Sequence, residues 1–271
     1  MEQMILAVIL IAFGFYVFRF YPFEKGNVKN LVIATVFIIL TAILKRLTIM
    51  VPLFGTESLK IGFEYLPLML AGFYLSPSYA YLVGLCCDVI GLILVPTGFP
   101  FLGFTLGTIT TCVVPSLVKE HVKELKSEWI ERGTIILIGV LGLGASLYIY
   151  NMSDVTISET VYVLKIIDKI LLIGLCLGLS VLFIGLMIFL RNRINIVEAK
   201  VFSTWMLCVI LVEVIVTLCM TPLWLDIMYG IPFVVSLCIR VIKLCVVIPI
   251  EIFVGYTLIQ LLNKTILKTR K

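Results

Sequence analysis

Residues 170–190 read ILLIGLCLGLSVLFIGLMIFL and contain no Asp, Glu, Lys, Arg or His. As a helix this run is about 31 Å long, enough to cross the hydrocarbon core of a bilayer. No water is available there, so every backbone N–H and C=O must be satisfied within the segment, which a helix does unaided. A barrel strand would alternate apolar and polar residues, and no sustained alternation is present. Similar runs recur along the chain, predicting spans at 4–20, 31–50, 62–74, 78–96, 101–118, 134–151, 166–190, 203–225 and 233–262. The third is short and carries Pro67, and the last is long and carries Pro249, where a kink or an extended end is expected. Composition agrees, since only 14% of residues are charged and the mean hydropathy is +1.19. A soluble domain needs about 25% charged residues to cover its surface. The expected class is therefore an all-α integral membrane protein in a lipid bilayer.

Charge sets the orientation. With the N-terminus outside, fourteen of the 21 Lys and Arg residues fall in cytoplasmic segments, among them Arg19, Lys25, Lys119, Lys123, Arg191 and Lys200. Four fall outside, namely Lys45, Arg46, Lys60 and Lys165, and the bias follows the positive-inside rule. The same rule puts the C-terminus, with Lys268, Arg270 and Lys271, in the cytoplasm. The first run has no basic segment before it and no small-residue cleavage site, so it is expected to be a membrane helix, not a signal peptide. The net charge of +5 is explained by topology and is no nucleic-acid footprint. The eight cysteines form no Cys-x-x-Cys pair, and the one histidine, His121, sits in a charged loop, so no metal site, disulfide or histidine chemistry is expected.

Five ionisable residues lie inside spans: Asp88, Glu213, Arg240, Lys243 and Glu251. Each costs several kcal/mol in lipid unless it is paired or faces a cavity. Arg240 and Lys243 are three apart and share a helix face about 10–16 Å deep, and Asp88 lies about 15 Å deep. Two readings follow. The charges form structural pairs, Asp88 with Arg240 or Glu251 with Lys243, or Asp88 and the two cations face one ligand cavity open to the outside. Arg46, at the outer end of its span, adds a further cation to the second reading. Phe99, Phe101 and Phe104 lie in a Gly/Pro-rich outer segment, with Trp224, Tyr229 and Phe233 in the opposite outer loop. They form either an interfacial aromatic belt or a stacking surface for a flat heteroaromatic ligand.

Two blocks resemble a known family. From Lys60 to Leu117 the chain carries Ile61-Gly62-Phe63, Leu66-Pro67, Asp88-Val89-Ile90-Gly91 and Phe101-Leu102-Gly103-Phe104-Thr105. From Leu223 to Leu262 it carries Leu223-Trp224-Leu225, Tyr229-Gly230-Ile231-Pro232-Phe233, Arg240 and Lys243 three apart, and Pro249-Ile250. In this order they resemble the folate-specific substrate-binding S components of energy-coupling factor (ECF) vitamin transporters. The chain departs from that pattern at Leu102, at Ser76, at Thr221-Pro222, and at Ile38 between Ala34 and Ala42.

The resemblance implies a six-helix core in residues 31–118 and 203–271, with an extra N-terminal helix in 1–30 and an inserted helical pair in 119–202. It also implies a binding protein, not an enzyme, with no cofactor. Folate is bound from outside and delivered with a transmembrane coupling protein and two ATPase subunits in the bacterial plasma membrane. The chain has no Gly-x-x-x-x-Gly-Lys-Ser/Thr loop to cradle nucleotide phosphates, so energy has to come from such partners. By resemblance, Asp88 takes the pterin N–H donors, while Arg46, Arg240 and Lys243 take the glutamate tail. Trp224, Phe101 and Phe104 enclose the rings, and Gly103, Thr105 and Tyr65 complete the site. Ala34, Ile38 and Ala42 mark the partner-docking face. An S component for riboflavin, thiamine or a similar vitamin is an alternative, and so is an ion-coupled secondary transporter. A lipid-active intramembrane enzyme is a third, but its nucleophile or metal motif is missing.

Overall fold

A computed structural model describes residues 2–23, 28–47, 49–53, 56–94, 100–151, 154–157, 160–163, 165–191, 196–231 and 233–268. The chain is an all-α membrane protein, and eight of its described helical segments are long and apolar enough to cross a bilayer. The first four long helices are α1 (Glu2–Phe20), α2 (Val28–Arg46), α4 (Pro77–Leu94) and α5 (Leu102–His121), with the short α3 (Tyr65–Tyr74) before α4. Next come α6 (Ser127–Asn151) and α7 (Ile166–Arg191). Then α8 (Ile196–Val212) runs through a π-helical stretch, Glu213–Met220, into α9 (Thr221–Tyr229). Gly230, at φ 65°, ends α9 in the left-handed conformation, with its N–H donated to the Asp226 carbonyl at 2.9 Å. The last helix is α10 (Phe233–Lys268), with Pro249 inside it. At 36 residues it is about 54 Å long, so its end projects beyond the membrane core as Pro249 and its length led one to expect.

Two short antiparallel hairpins were not anticipated. Strands β1 (Ile49–Leu53) and β2 (Thr56–Ile61) follow α2, and β3 (Asp154–Ile157) and β4 (Thr160–Val163) join α6 to α7. Consequently α2 stops at Arg46, short of residue 50, and Lys45 belongs to the helix instead of the loop after it.

The core sits where α3, α4 and α5 meet α8 and α10. Backbones come close because small residues line the contacts. A Cβ on Gly72 would strike the Cys112 carbonyl oxygen, and one on Gly84 would lie 2.6 Å from Ile109 Cα. Trp205, fully buried, donates its indole N–H to the Glu251 carbonyl at 3.2 Å and ties α8 to α10. Helix α1 is bolted to α4 by Tyr81, whose hydroxyl donates to the Leu10 carbonyl at 3.0 Å while Phe13 and Phe18 meet its ring. The α6–α7 pair is held to α8 at one end. There the Glu131 carboxylate accepts from Arg191 at 3.0 Å, Ser127 at 2.8 Å and Ser203 at 2.9 Å.

Candidate functional site

Asp88 lies on the inner face of α4, 5% exposed. Thr105 of α5 donates its hydroxyl to Oδ2 at 2.7 Å, and Thr108, one turn on, lies 3.5 Å from Oδ1. Lys45 Nζ stands 4.0 Å from Oδ1. A Cβ on Gly91 would overlap the Lys45 ammonium, so the missing side chain one turn beyond Asp88 makes room for this cation. Sequence reasoning gave Lys45 no part in the site. Adjacent residues on a helix point about 100° apart, so Lys45 and Arg46 cannot both face inward. Here Lys45 does, and Arg46 bonds the Leu94 carbonyl at the end of α4 at 2.9 Å.

The first turn of α5, which also supplies Thr105, carries an aromatic group. Phe101, 8% exposed, meets Phe104 at 5.7 Å and Trp224 of α9 at 5.9 Å, both edge to face. Gly103 lets them close in, since a Cβ there would strike the Phe101 ring and lie 2.8 Å from Trp224. The Trp224 indole N–H is buried and has no hydrogen-bond partner among the described residues. Phe99 lies outside the described residues, and Tyr229 is exposed.

The other intramembrane charges gather elsewhere, between α3, the π-helical stretch and α10. Lys243, 6% exposed, lies 5.4 Å from the centre of the Tyr65 ring. It is within electrostatic reach of Glu213, Arg240 and Glu251. Arg240 donates from Nε to Ser236 at 3.3 Å and faces Tyr65 and Glu213. Glu213, 0% exposed, lies carboxyl to carboxyl with Glu251, and apart from that contact no hydrogen-bond donor among the described residues reaches either Glu213 oxygen or Glu251 Oε2. Among the described residues no ion pair joins Asp88 to Arg240, or Glu251 to Lys243, so the two pairings weighed from sequence are not the ones formed. The structure sorts the charges into one group around Asp88 and another around Lys243, linked through the packing of α5 on the π-helical stretch. Depth along a span was readable from sequence, but the direction each side chain faces was not.

On α2, Ala34 is buried in the core, whereas Ile38 and Ala42 line a groove of about 280 Å³ with Ile39, Arg46 and Ile90. Among the described residues no three His, Cys, Asp or Glu side chains group as a metal site would require.

Comparison with known proteins now bears on this arrangement. The chain is 27% identical over 131 residues to the folate transporter FolT of Leuconostoc mesenteroides, covering 47% of this chain and 67% of that protein. The chain is similar to a folate transporter. It also matches the folate transporter FolT of Clostridium novyi at 36% over 59 residues, spanning 22% of this chain and about a third of that relative's length (34%). No protein-family model and no solved structure matches the chain. The resemblance drawn from the two sequence blocks to folate-specific S components stands. Among the departures from that pattern, Thr221 spends its hydroxyl internally, on the Val216 carbonyl at 2.7 Å.

Proposed function

We propose that this chain is the membrane-embedded substrate-binding subunit of an ECF-type vitamin transporter, that it binds folate from outside, and that a separate ATP-driven module completes uptake. Its role is transport and not catalysis. The observation that carries the reading is the buried Asp88 carboxylate, oriented by Thr105 from the first turn of α5, the same turn that packs Phe101 and Phe104 with Trp224, in a chain similar to folate transporters.

The chemistry fits the ligand. An ionised carboxylate has about four acceptor positions on its two oxygens. Thr105 uses one at short distance, leaving capacity for the paired N–H donors of a pterin ring, which a carboxylate accepts in a bidentate fork. Phe101, Phe104 and Trp224 offer faces and edges for the rings, and the unpartnered Trp224 N–H offers a donor to a ring acceptor. Gly103 keeps that aromatic group compact. The anionic glutamate tail falls to the cations: Arg46 at the outer end of α2, and Arg240 and Lys243 on α10 beside Tyr65.

In this reading residues 31–118 and 203–271 are the six-helix core, α1 and the α6–α7 pair are additions, the N-terminus is outside and the C-terminus is cytoplasmic. The coupling protein docks on the α2 face marked by Ile38 and Ala42, where the groove lies, while Ala34, named with them from sequence, is packed in the core and takes no part, and two ATPase subunits supply the energy. The host membrane is the bacterial plasma membrane. A different vitamin is the second reading, favoured by Thr221, which departs from the resembled pattern and commits its hydroxyl to the Val216 carbonyl.

The test is native mass spectrometry of the purified chain followed by a folate titration with riboflavin and thiamine as competitors. Co-purified or titratable folate that neither competitor displaces is the expected result. Displacement by riboflavin or thiamine moves the assignment to the second reading, and no vitamin binding at all ends both.

A further inference from the structure

Helix α5 begins at Leu102, and its N-cap residue is Phe101. A phenylalanine side chain cannot accept a hydrogen bond, so Phe101 makes no side-chain cap, and the first N–H groups of α5 need acceptors from elsewhere. One comes from α1. The Gln3 amide oxygen accepts the Leu102 N–H at 3.3 Å, and its amide nitrogen donates to the Pro100 carbonyl at 3.5 Å. A single side chain thus grips the backbone on both sides of Phe101, the residue packed against Phe104 and Trp224. Gln3 is itself held in place, because Leu6, one turn on, and Val17 are buried and Tyr81 fixes the middle of α1 to α4.

We propose that α1 acts as an external cap on α5 and, through Gln3, restrains the Phe101 segment, so that it sets how fast ligand exchanges at the Asp88 site. Gln3 is a positioning residue and touches no ligand atom. The inference rests on the ligand site proposed above. A ligand passing Phe101 has to displace the 100–102 backbone, which breaks both Gln3 bonds. Those bonds are present in the empty and the occupied protein alike, so they oppose entry and exit equally. Two exposed, rather long hydrogen bonds correspond to about a fivefold effect on each rate.

The experiment uses the full-length chain in detergent or nanodiscs, with stopped-flow folate binding and amide hydrogen exchange. Gln3→Leu should raise association and dissociation rates by about the same factor, near fivefold, with an unchanged Kd. It should also speed exchange of the Leu102 amide in the absence of ligand. Gln3→Glu keeps the acceptor and loses the donor, and should fall between. A variant that merely damaged the fold would lower the binding-competent fraction without quickening dissociation. Unchanged rates in Gln3→Leu, with folate still bound, overturn the proposal. If the unaltered protein binds no folate, the ligand assignment fails instead, and the amide exchange decides the cap: no change at Leu102 sinks it, faster exchange sustains it.

Discussion

Replacing Lys243 by methionine isolates the charge group between α3 and α10. The ammonium is 6% exposed and sits over Tyr65, within electrostatic reach of two carboxylates. Glu213 is fully buried against the Glu251 carboxyl, and apart from that contact no hydrogen-bond donor among the described residues reaches its oxygens. Lys243→Met preserves the length and apolar bulk of the side chain while removing the charge that balances these acids. Breaking a buried charge arrangement on one side costs about 3–5 kcal/mol, because a buried charge is left uncompensated. Arg240 still faces Glu213, so the lower end, about 3 kcal/mol, is expected. The assay is thermal or denaturant unfolding of the purified chain in detergent, followed through near-ultraviolet circular dichroism. The double variant Lys243→Met/Glu213→Gln, which removes the orphaned charge as well, should recover most of the loss. A single variant as stable as the unaltered chain would refute the reasoning, and so would a double variant no better than the single one. If Lys243 also holds the anionic tail of folate, the double variant recovers stability but not affinity.

Two further substitutions separate orientation from enclosure. Thr105→Val keeps the shape of the side chain and removes the 2.7 Å bond to Asp88; a hydrogen bond to a charged group contributes about 1.5–3 kcal/mol and this one already exists in the free protein, so the loss should appear in the unfolding free energy, and an unchanged stability would show that the bond contributes nothing. Trp224→Phe removes a buried N–H that has no partner in the free protein, so its thermal stability should change little while folate affinity falls about tenfold, and equal affinity would show that the indole donor is unused.

The apolar runs made the spans legible, because no other structure satisfies twenty residues of backbone in lipid. Asp88 stood out as a lone carboxylate in such a run, and the aromatic group around Phe101 and Trp224 was visible as residue type and position. The azimuth of each side chain was not visible. Lys45 and Arg46 read as two equivalent cations at a span's end, yet the packing of α2 on α4, with the space at Gly91, turns one to Asp88 and the other to the Leu94 carbonyl. The same limit hid the division between the Asp88 and Lys243 groups. Neither hairpin was legible, since strands of four to six residues bounded by a helix leave too short a pattern to separate from a loop. The capping of α5 by Gln3 joins residues 99 apart in sequence, which no local pattern reports.

The most direct test of the account is a folate titration of the purified chain beside Asp88→Asn. The substitution keeps the size of the side chain and its bond from Thr105, but it replaces a bidentate acceptor with one acceptor and one donor. Folate binding should weaken by at least about a hundredfold, as a site built to accept paired N–H donors still accepts one of them but turns a donor against the other. Folate bound by Asp88→Asn as tightly as by the unaltered chain would contradict the assignment of Asp88, and with it the site on which the proposed transport function stands.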